Sequence, residues 1–323
     1  MDFFIYMIFR LFMMIVCIIP TSTGTALGRI IGRIFYYVDR HHQRIIRANI
    51  SLVFGKAISN RKTEALGRES CEYLAMNIID LLKLNKIVTA ENYRKFLDIR
   101  GLDHLMQAIK RGKGTIAVMG HFGNFPLIRY ACYLNLPPKA VIIRKLDNLY
   151  LENFVKSLLK THDAKIIRPR GALNKIRELL LKNFVTVTLA DQKAGGPKQH
   201  RYGVSVDLFG IPSQTHITAP LLQIRTGAAV LPTFVIRRGP LSYRIEINEP
   251  PRFIHTKDEA LDLKKNTRML NEIFESYIRR YPQEWFWLHR RWKNVPGLEN
   301  LYKTNNPLKL AEDFRKKIEA SQG

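Results

Sequence analysis

Between Thr115 and Ile247, short apolar runs rich in Val, Ile and Thr alternate with longer stretches whose apolar residues recur every third or fourth position. The runs TIAVMG (115–120), KAVIIRK (139–145), AKIIR (164–168), FVTVTLA (184–190), AAVLPTFVIRR (228–238) and YRIEI (243–247) have the length and β-branching of strands. Helical spacing fills 102–111, 126–135, 149–161, 171–182, 215–226 and 258–280. A strand that returns through a helix crosses over and pairs in parallel. The order therefore predicts an α/β fold with a mainly parallel, mixed sheet flanked by helices. Residues 44–97 read as helices, KAGGPK (193–198) as a loop, and the mixed-charge stretch 303–323 as a solvated helix or tail.

The N-terminus is of another kind. Phe3 to Ile19 holds seventeen residues with a single charge, Arg10. As a helix this spans about 26 Å, slightly short of the ~30 Å hydrocarbon core of a bilayer. Asp2 replaces the basic start of a signal peptide and no small-x-small site precedes Pro20, so an uncleaved N-terminal membrane-anchor helix is expected. Arg29, Arg33, Arg40, Arg44 and Arg47 follow, interleaved with Leu27, Ile30, Ile31, Ile34 and Phe35. Such a segment stays cytoplasmic beside a span, or lies as a basic amphipathic helix on anionic lipid. The division expected is 1–43 for anchor and basic segment, 44–97 for a helical part, 98–295 for the α/β domain and 296–323 for a polar tail.

Composition narrows the partners. Lys and Arg number 52 against 27 Asp and Glu, a net charge of +25 in 323 residues, which calls for nucleic acid, anionic lipid or an acidic carrier protein. Hydrophobic residues at 46% exclude a largely disordered chain. Cys17, Cys71 and Cys132 lie far apart with no C-x-x-C pair, which argues against a disulfide framework or a zinc site and for a reducing setting.

In an open α/β sheet, ligands sit beyond the carboxyl ends of the strands. Three such ends carry polar residues: His121, Gly123 and Asn124 in GHFGNFP; Arg144 and Lys145 in IIRKLDN; Asp191 and Gln192 in LADQK. A histidine at a strand mouth suits a general base, although a lone histidine is usually structural. The basic pair also fits a solvated surface, and the acid fits a turn cap. WFWLHRRW (285–292) fits nucleic-acid stacking, a membrane interface or the core, with His289 structural. His41 and His42 follow a basic stretch with Asp39 as the one acid beside them and no cysteine, too few ligands for a metal.

Five blocks in order carry a resemblance: MGHFGNF (119–125), the Arg144 strand end, PRGALNKIRELLLKNFVTVTLADQKAG (169–195), VDLFGIPSQT with LLQIRTGAAVLPTFVIRRG (206–239), and YPQEWFWLHRRWK (281–293). Through them, from the N-terminus to about Lys293, the chain resembles the bacterial lipid A biosynthesis acyltransferases, the lauroyl and myristoyl transferases of the lysophospholipid acyltransferase superfamily. The resemblance implies a glycerolphosphate-acyltransferase-like domain, anchored at the bacterial inner membrane and facing the cytoplasm. It implies transfer of a fatty acyl chain from acyl carrier protein or coenzyme A to a hydroxyl of a lipid A precursor or related glycolipid. The thioester is a co-substrate, and no metal or bound organic cofactor is needed. Inner-membrane lipids, the phosphorylated glycolipid acceptor and acyl carrier protein are the implied partners, with no nucleic acid. His121 would be the base, and backbone N–H groups of the turn after it would face the oxyanion. Asn124, Arg144 and Gln192 would bind substrate, Arg144 through phosphate.

One position departs from the pattern. The family places Asp or Glu five residues after the histidine, where this chain has Pro126. Three arrangements answer to that: another acid, with Asp191 the first candidate, orients His121; His121 works without a carboxylate; or catalysis is lost and a lipid-binding relative remains. Acceptors outside lipid A, such as a lysophospholipid or another glycolipid, also fit. Nucleic-acid binding answers to the charge but leaves the N-terminal segment and the ordered blocks unexplained.

Overall fold

The computed structural model describes residues 1–134, 136–160, 164–194, 202–304 and 306–322. Four helices open the chain: α1 (Asp2–Ile18), α2 (Thr21–Val38), α3 (Arg40–Phe54) and α4 (Asn60–Ile87). Asp39 caps α3 by accepting from the His42 N–H, and Ser59 caps α4 by accepting from the Lys62 N–H. Gly24, Gly28 and Gly32 form a stripe on α2 that lies directly on α4. A Cβ at Gly32 would stand 2.3 Å from Cys71 O, so the backbones meet only because the side chain is absent. Buried Glu72 of α4 fastens the contact by accepting from Arg33 Nε at 2.9 Å, with Arg29 at 3.9 Å.

The expected membrane-anchor helix is corrected here: no described helix is long and apolar enough to cross a membrane. Helix α1 has 17 residues, and it lies against the body of the protein. Phe9, Phe12, Met13 and Val16 pack with Ile79 and Leu82 of α4. Phe3 and Tyr6 meet Tyr150, and Phe9 meets Phe154, each pair with ring centroids between 5.2 and 5.5 Å. The rest of its apolar surface, including Phe4, Ile8, Leu11 and Ile18, is exposed.

The remaining chain builds the sheet. In order come β1 (Leu97–Arg100), α5 (Leu102–Lys110), β2 (Thr115–Met119), a 3-10 helix (Phe125–Leu134), β3 (Lys139–Ile142), α6 (Leu149–Lys160), β4 (Ala164–Ile167), α7 (Ala172–Leu180), β5 (Val185–Leu189), β6 (Gly203–Leu208), β7 (Ile211–His216), α8 (Thr218–Thr226), β8 (Ala229–Gly239), β9 (Ser242–Ile247), α9 (Glu259–Arg280) and α10 (Pro307–Gln322). Seven strands form one sheet in the order β1-β9-β8-β2-β5-β3-β4. Neighbours are parallel except β8 and β9. The α/β expectation of a mainly parallel sheet flanked by helices therefore holds. Every residue of central β2 is buried, which is why its run is continuously apolar rather than alternating. On β8, Val230, Phe234 and Ile236 belong to the core on one side of the sheet, and Ala229, Leu231 and Val235 to the core on the other.

Local differences have local causes. The helix expected over 126–135 is a 3-10 helix, whose three-residue turn aligns Leu127, Tyr130 and Tyr133 on one side. The helix expected from 215 begins at Thr218, because Thr215 and His216 end β7 in a hairpin with β6. That hairpin turns through Phe209 and Gly210, both at positive φ, as a tight two-residue turn requires. Nor is 303–323 simply solvated: α10 docks on α3 with Ala311 fully buried. Arg315 of α10 donates to Leu52 O, Val53 O and Phe209 O.

Candidate active site

Strands β2 and β5 run in parallel with Thr115 opposite Val185 and Met119 opposite Leu189. The same offset, continued two positions, sets residue 121 beside residue 191, and the Ala190 N–H continues the pairing to Met119 O at 2.9 Å. There His121 Nδ1 lies 2.9 Å from Asp191 Oδ1. Gly120 makes room for the carboxylate, since a Cβ there would come within 3.1 Å of Asp191 Cγ.

The side chain of Asp191 is 3% exposed and that of His121 25%, so the open side of the pair is the imidazole. Burial alone would raise the Asp191 carboxyl. The hydrogen bond and charge of His121, with the Trp285 N–H, outweigh burial and hold it below the ordinary carboxylate range. An ionised carboxylate only accepts, so Nδ1 of His121 carries a proton, and in the neutral ring it is Nε2 that presents the lone pair. The rings of Phe125 and Phe286 flank the imidazole at 5.3 and 6.1 Å.

The turn beyond His121 is gripped from outside. Gly123 adopts φ +56°, and a Cβ on it would lie 1.7 Å from Val235 O. Its N–H donates to Glu284 O at 2.8 Å, and the Phe286 N–H donates to His121 O at 3.0 Å. Residues 284–286 thus run antiparallel beside 121–123, with Phe122 opposite Trp285. This corrects one expectation: the Gly123 N–H is already spent and is not a free donor for an oxyanion. Asn124, expected to touch substrate, instead turns inward; it is 2% exposed and its Nδ2–H donates to Asn77 O of α4 at 2.8 Å. Gln192 is partly exposed directly after Asp191.

Arg144 and Lys145 are exposed on the turn leaving β3, one strand beyond β5. At ~4.8 Å per strand the Arg144 backbone leaves the sheet about 10 Å from that of His121. Buried Glu152 of α6 shapes this turn by accepting from the Leu146 N–H at 3.0 Å and pairing with Arg168 at the end of β4. Arg168 also donates to Ile143 O at 3.2 Å. The Leu146 N–H and the two cations Arg168 and Lys156 outweigh burial and hold the Glu152 carboxyl at about 2.

A second ring of contacts comes from the segment after α9, whose Trp285, Trp287 and Trp292 are 5%, 0% and 0% exposed and so belong to the core. Trp285 Nε1–H donates to Asp191 Oδ2 at 2.9 Å, a contact that sequence reasoning missed. The available signal was the W-x-W alternation, which puts Trp285 and Trp287 on one side of an extended strip. The Lys193 N–H donates to His289 Nε2 at 3.3 Å. Burial, with the charges of Arg291, His121 and Lys193 against that of Asp191, pushes the His289 imidazole down to about 4, which keeps it a neutral acceptor. Buried Arg291 donates to Gln214 O and Thr215 Oγ1 at 2.8 and 2.6 Å. Asn49 of α3 holds the strip from behind, donating to Trp287 O and His289 O at 2.6 and 2.8 Å. Among the described residues, no three His, Cys, Asp or Glu side chains gather as a metal site.

A family model described as bacterial lipid A biosynthesis acyltransferase matches residues 2–294. The chain is 27% identical over 290 residues to a lipid A biosynthesis palmitoleoyltransferase of Escherichia coli K12, covering 88% of this chain and 90% of the relative. It is 23% identical over 287 residues to the lipid A biosynthesis lauroyltransferase of the same organism, covering 88% and 90%. A phosphatidylinositol mannoside acyltransferase of Mycobacterium tuberculosis H37Rv is 27% identical over 216 residues, covering 62% and 63%.

Proposed function

The chain belongs to the bacterial lipid A biosynthesis acyltransferase family, and on that premise we propose that it moves a fatty acyl chain from an acyl thioester to a hydroxyl of a phosphorylated glycolipid, a lipid A precursor. The observation that carries the reading is the His121–Asp191 pair, a part-exposed imidazole on a sealed carboxylate. It supplies from a neighbouring strand the acid that Pro126 cannot provide.

His121 Nε2 takes the proton of the acceptor hydroxyl as its oxygen attacks the thioester carbonyl. Asp191 holds the ring in this tautomer and offsets the charge of the imidazolium. Collapse of the tetrahedral intermediate breaks the C–S bond, and the departing thiolate takes the proton from His121. Arg144 binds the acceptor phosphate, and Gln192 borders the acyl carbonyl. The donor is acyl carrier protein or coenzyme A, and the charge of +25 favours the acidic carrier. The setting is the cytoplasmic face of the bacterial inner membrane. Exposed Phe4, Ile8, Leu11 and Ile18 of α1 enter the lipid boundary, and the arginines of α2 and α3 meet anionic headgroups.

The mycobacterial relative, an acyltransferase of a different glycolipid, favours a second reading in which the acceptor lies outside lipid A. One experiment separates the two. Wild type and His121→Ala are incubated with acyl carrier protein and coenzyme A thioesters plus lipid A precursors, mannosylated phosphatidylinositol and lysophospholipids, and acceptors heavier by one acyl chain are sought by mass spectrometry. A product from the lipid A precursor that vanishes in His121→Ala supports the proposal. Product only from another acceptor establishes the second reading, and the absence of any product from folded wild type defeats both.

A further inference from the structure

We infer that Trp285 is a positioning residue that sets the catalytic pair by fixing Asp191 from behind. The inference rests on the acyltransferase reading for its kinetic consequences but not for its geometry. Asp191 is buried, and its two oxygens have different partners: Oδ1 faces His121 Nδ1 at 2.9 Å and Oδ2 accepts from Trp285 Nε1–H at 2.9 Å. Held only from the His121 side, by the ring and the backbone N–H, the carboxylate still turns about its Cβ–Cγ bond. With both occupied, it presents a single face to the imidazole.

Trp285 is suited to this by its surroundings. Its own backbone stands opposite Phe122, with Gly123 N–H bonded to Glu284 O at 2.8 Å and Phe286 N–H bonded to His121 O at 3.0 Å. Its ring is wedged against Trp287 at 4.7 Å and between Phe209 and Trp292, each at 6.2 Å. One short strip therefore fixes the backbone on both sides of Phe122, directly after His121, and, through the indole N–H, the far oxygen of the Asp191 carboxylate. In a chain with Pro126 at the family's acid position, the acid arrives from another strand, and the strip bonds to both strand ends, adding to the ladder that already joins them. The other charged or titratable groups around the pair are Lys193 beside it, Glu284 in the strip with its carboxylate facing Gly123, His216 at the end of β7, and His289 and Arg291 beyond the strip.

The test uses Trp285→Phe, which keeps the ring and removes the donor, in the full-length protein. Without the indole N–H, Asp191 offers more of its charge to His121. The acid limb of the kcat profile is expected to move to higher pH, with kcat lower by about 10- to 100-fold and KM nearly unchanged. In an Asp191→Asn background the same substitution is expected to cost less than about 3-fold, because it acts through the carboxylate. Trp287→Phe is the control for packing: its Nε1–H bonds Pro282 O, so it should lower the melting temperature without moving the acid limb. An equal loss in both backgrounds, or an unmoved acid limb in folded Trp285→Phe, overturns the inference. If wild type transfers no acyl group, the functional reading fails separately. NMR titration of the His121 imidazole, assigned through His121→Ala, then decides: a shift in Trp285→Phe sustains the positioning role, and an unchanged titration refutes it.

Discussion

Two turns leave the same edge of the sheet and are built in opposite ways. The turn after β2 is enclosed: His121 leans on Asp191, Gly123 is tied to Glu284, Phe286 bonds back to His121 O, and Asn124 is pinned to α4. The turn after β3 keeps Arg144, Lys145 and Asp147 exposed and is braced at its base by Glu152 and Arg168. The first is over-determined, as a group must be when its proton has to meet a reacting atom within hydrogen-bond distance. The second leaves its cations exposed and without a fixed geometry. Preorganisation is thus concentrated where the chemistry is proposed, and adaptability about 10 Å away.

This contrast breaks most severely at the histidine. His121→Ala is expected to lower kcat/KM by about 10³-fold or more, measured by acyl transfer at saturating donor. Asp191→Asn should fall by about 10²- to 10⁴-fold while retaining the fold by circular dichroism, since the amide leaves the ring in the wrong tautomer. Near-normal turnover in that variant would remove Asp191 from the mechanism. The open turn should respond differently: Arg144→Ala is expected to raise KM for a phosphorylated acceptor by about 10-fold with kcat nearly kept. A matched acceptor lacking the phosphate should not distinguish the variant from wild type.

The smallest effect sharpens the contrast through stability rather than rate. Burial raises the Glu284 carboxyl from 4.5 to about 7, more than the Arg237 N–H and the neighbouring Asn77 lower it. A carboxyl that is harder to ionise when folded is protonated in both states below about pH 4.5. Stability is therefore full there and falls as pH rises through about 7, by about 3 kcal/mol. Glu284→Gln keeps an oxygen for the Arg237 N–H and should flatten this loss. Its melting temperature is expected to exceed that of wild type near pH 8 and to match it near pH 4.5, as read by calorimetry.

Much of the sheet was legible because its determinants are local. The runs at 115–120, 184–190 and 228–238 are β-branched and unbroken, and β2, β5 and β8 occupy them within a residue or so at each end. The β6–β7 hairpin escaped notice because its Phe-Gly turn sets an aromatic residue at positive φ. That costs energy locally and is offset by burial: Phe209 is 3% exposed and its N–H is bonded to Glu275. The N-terminal segment misled for a related reason. A seventeen-residue run with one charge reads alike whether it meets lipid or protein, and only the packing of Phe9, Phe12 and Val16 on α4 shows that one side meets protein. The face of α10 was equally hidden, since Ala311 and Phe314 acquire meaning only against the assembled core.

The sequence by itself determined the α/β class, the strand ends at His121, Arg144 and Asp191, and the Pro126 departure. The class and the strand ends follow from apolar periodicity and from glycine and proline in turns, which act over a few residues; the Pro126 departure follows from the resemblance to the family. Only the tertiary structure decided that β5 lies beside β2, that its register brings residue 191 to residue 121, and that the Trp285 indole closes the carboxylate from behind. Those contacts join positions 70 and 94 residues apart. Pairing over such distances is selected by the shape and burial of the assembled sheet, which no short stretch of sequence contains.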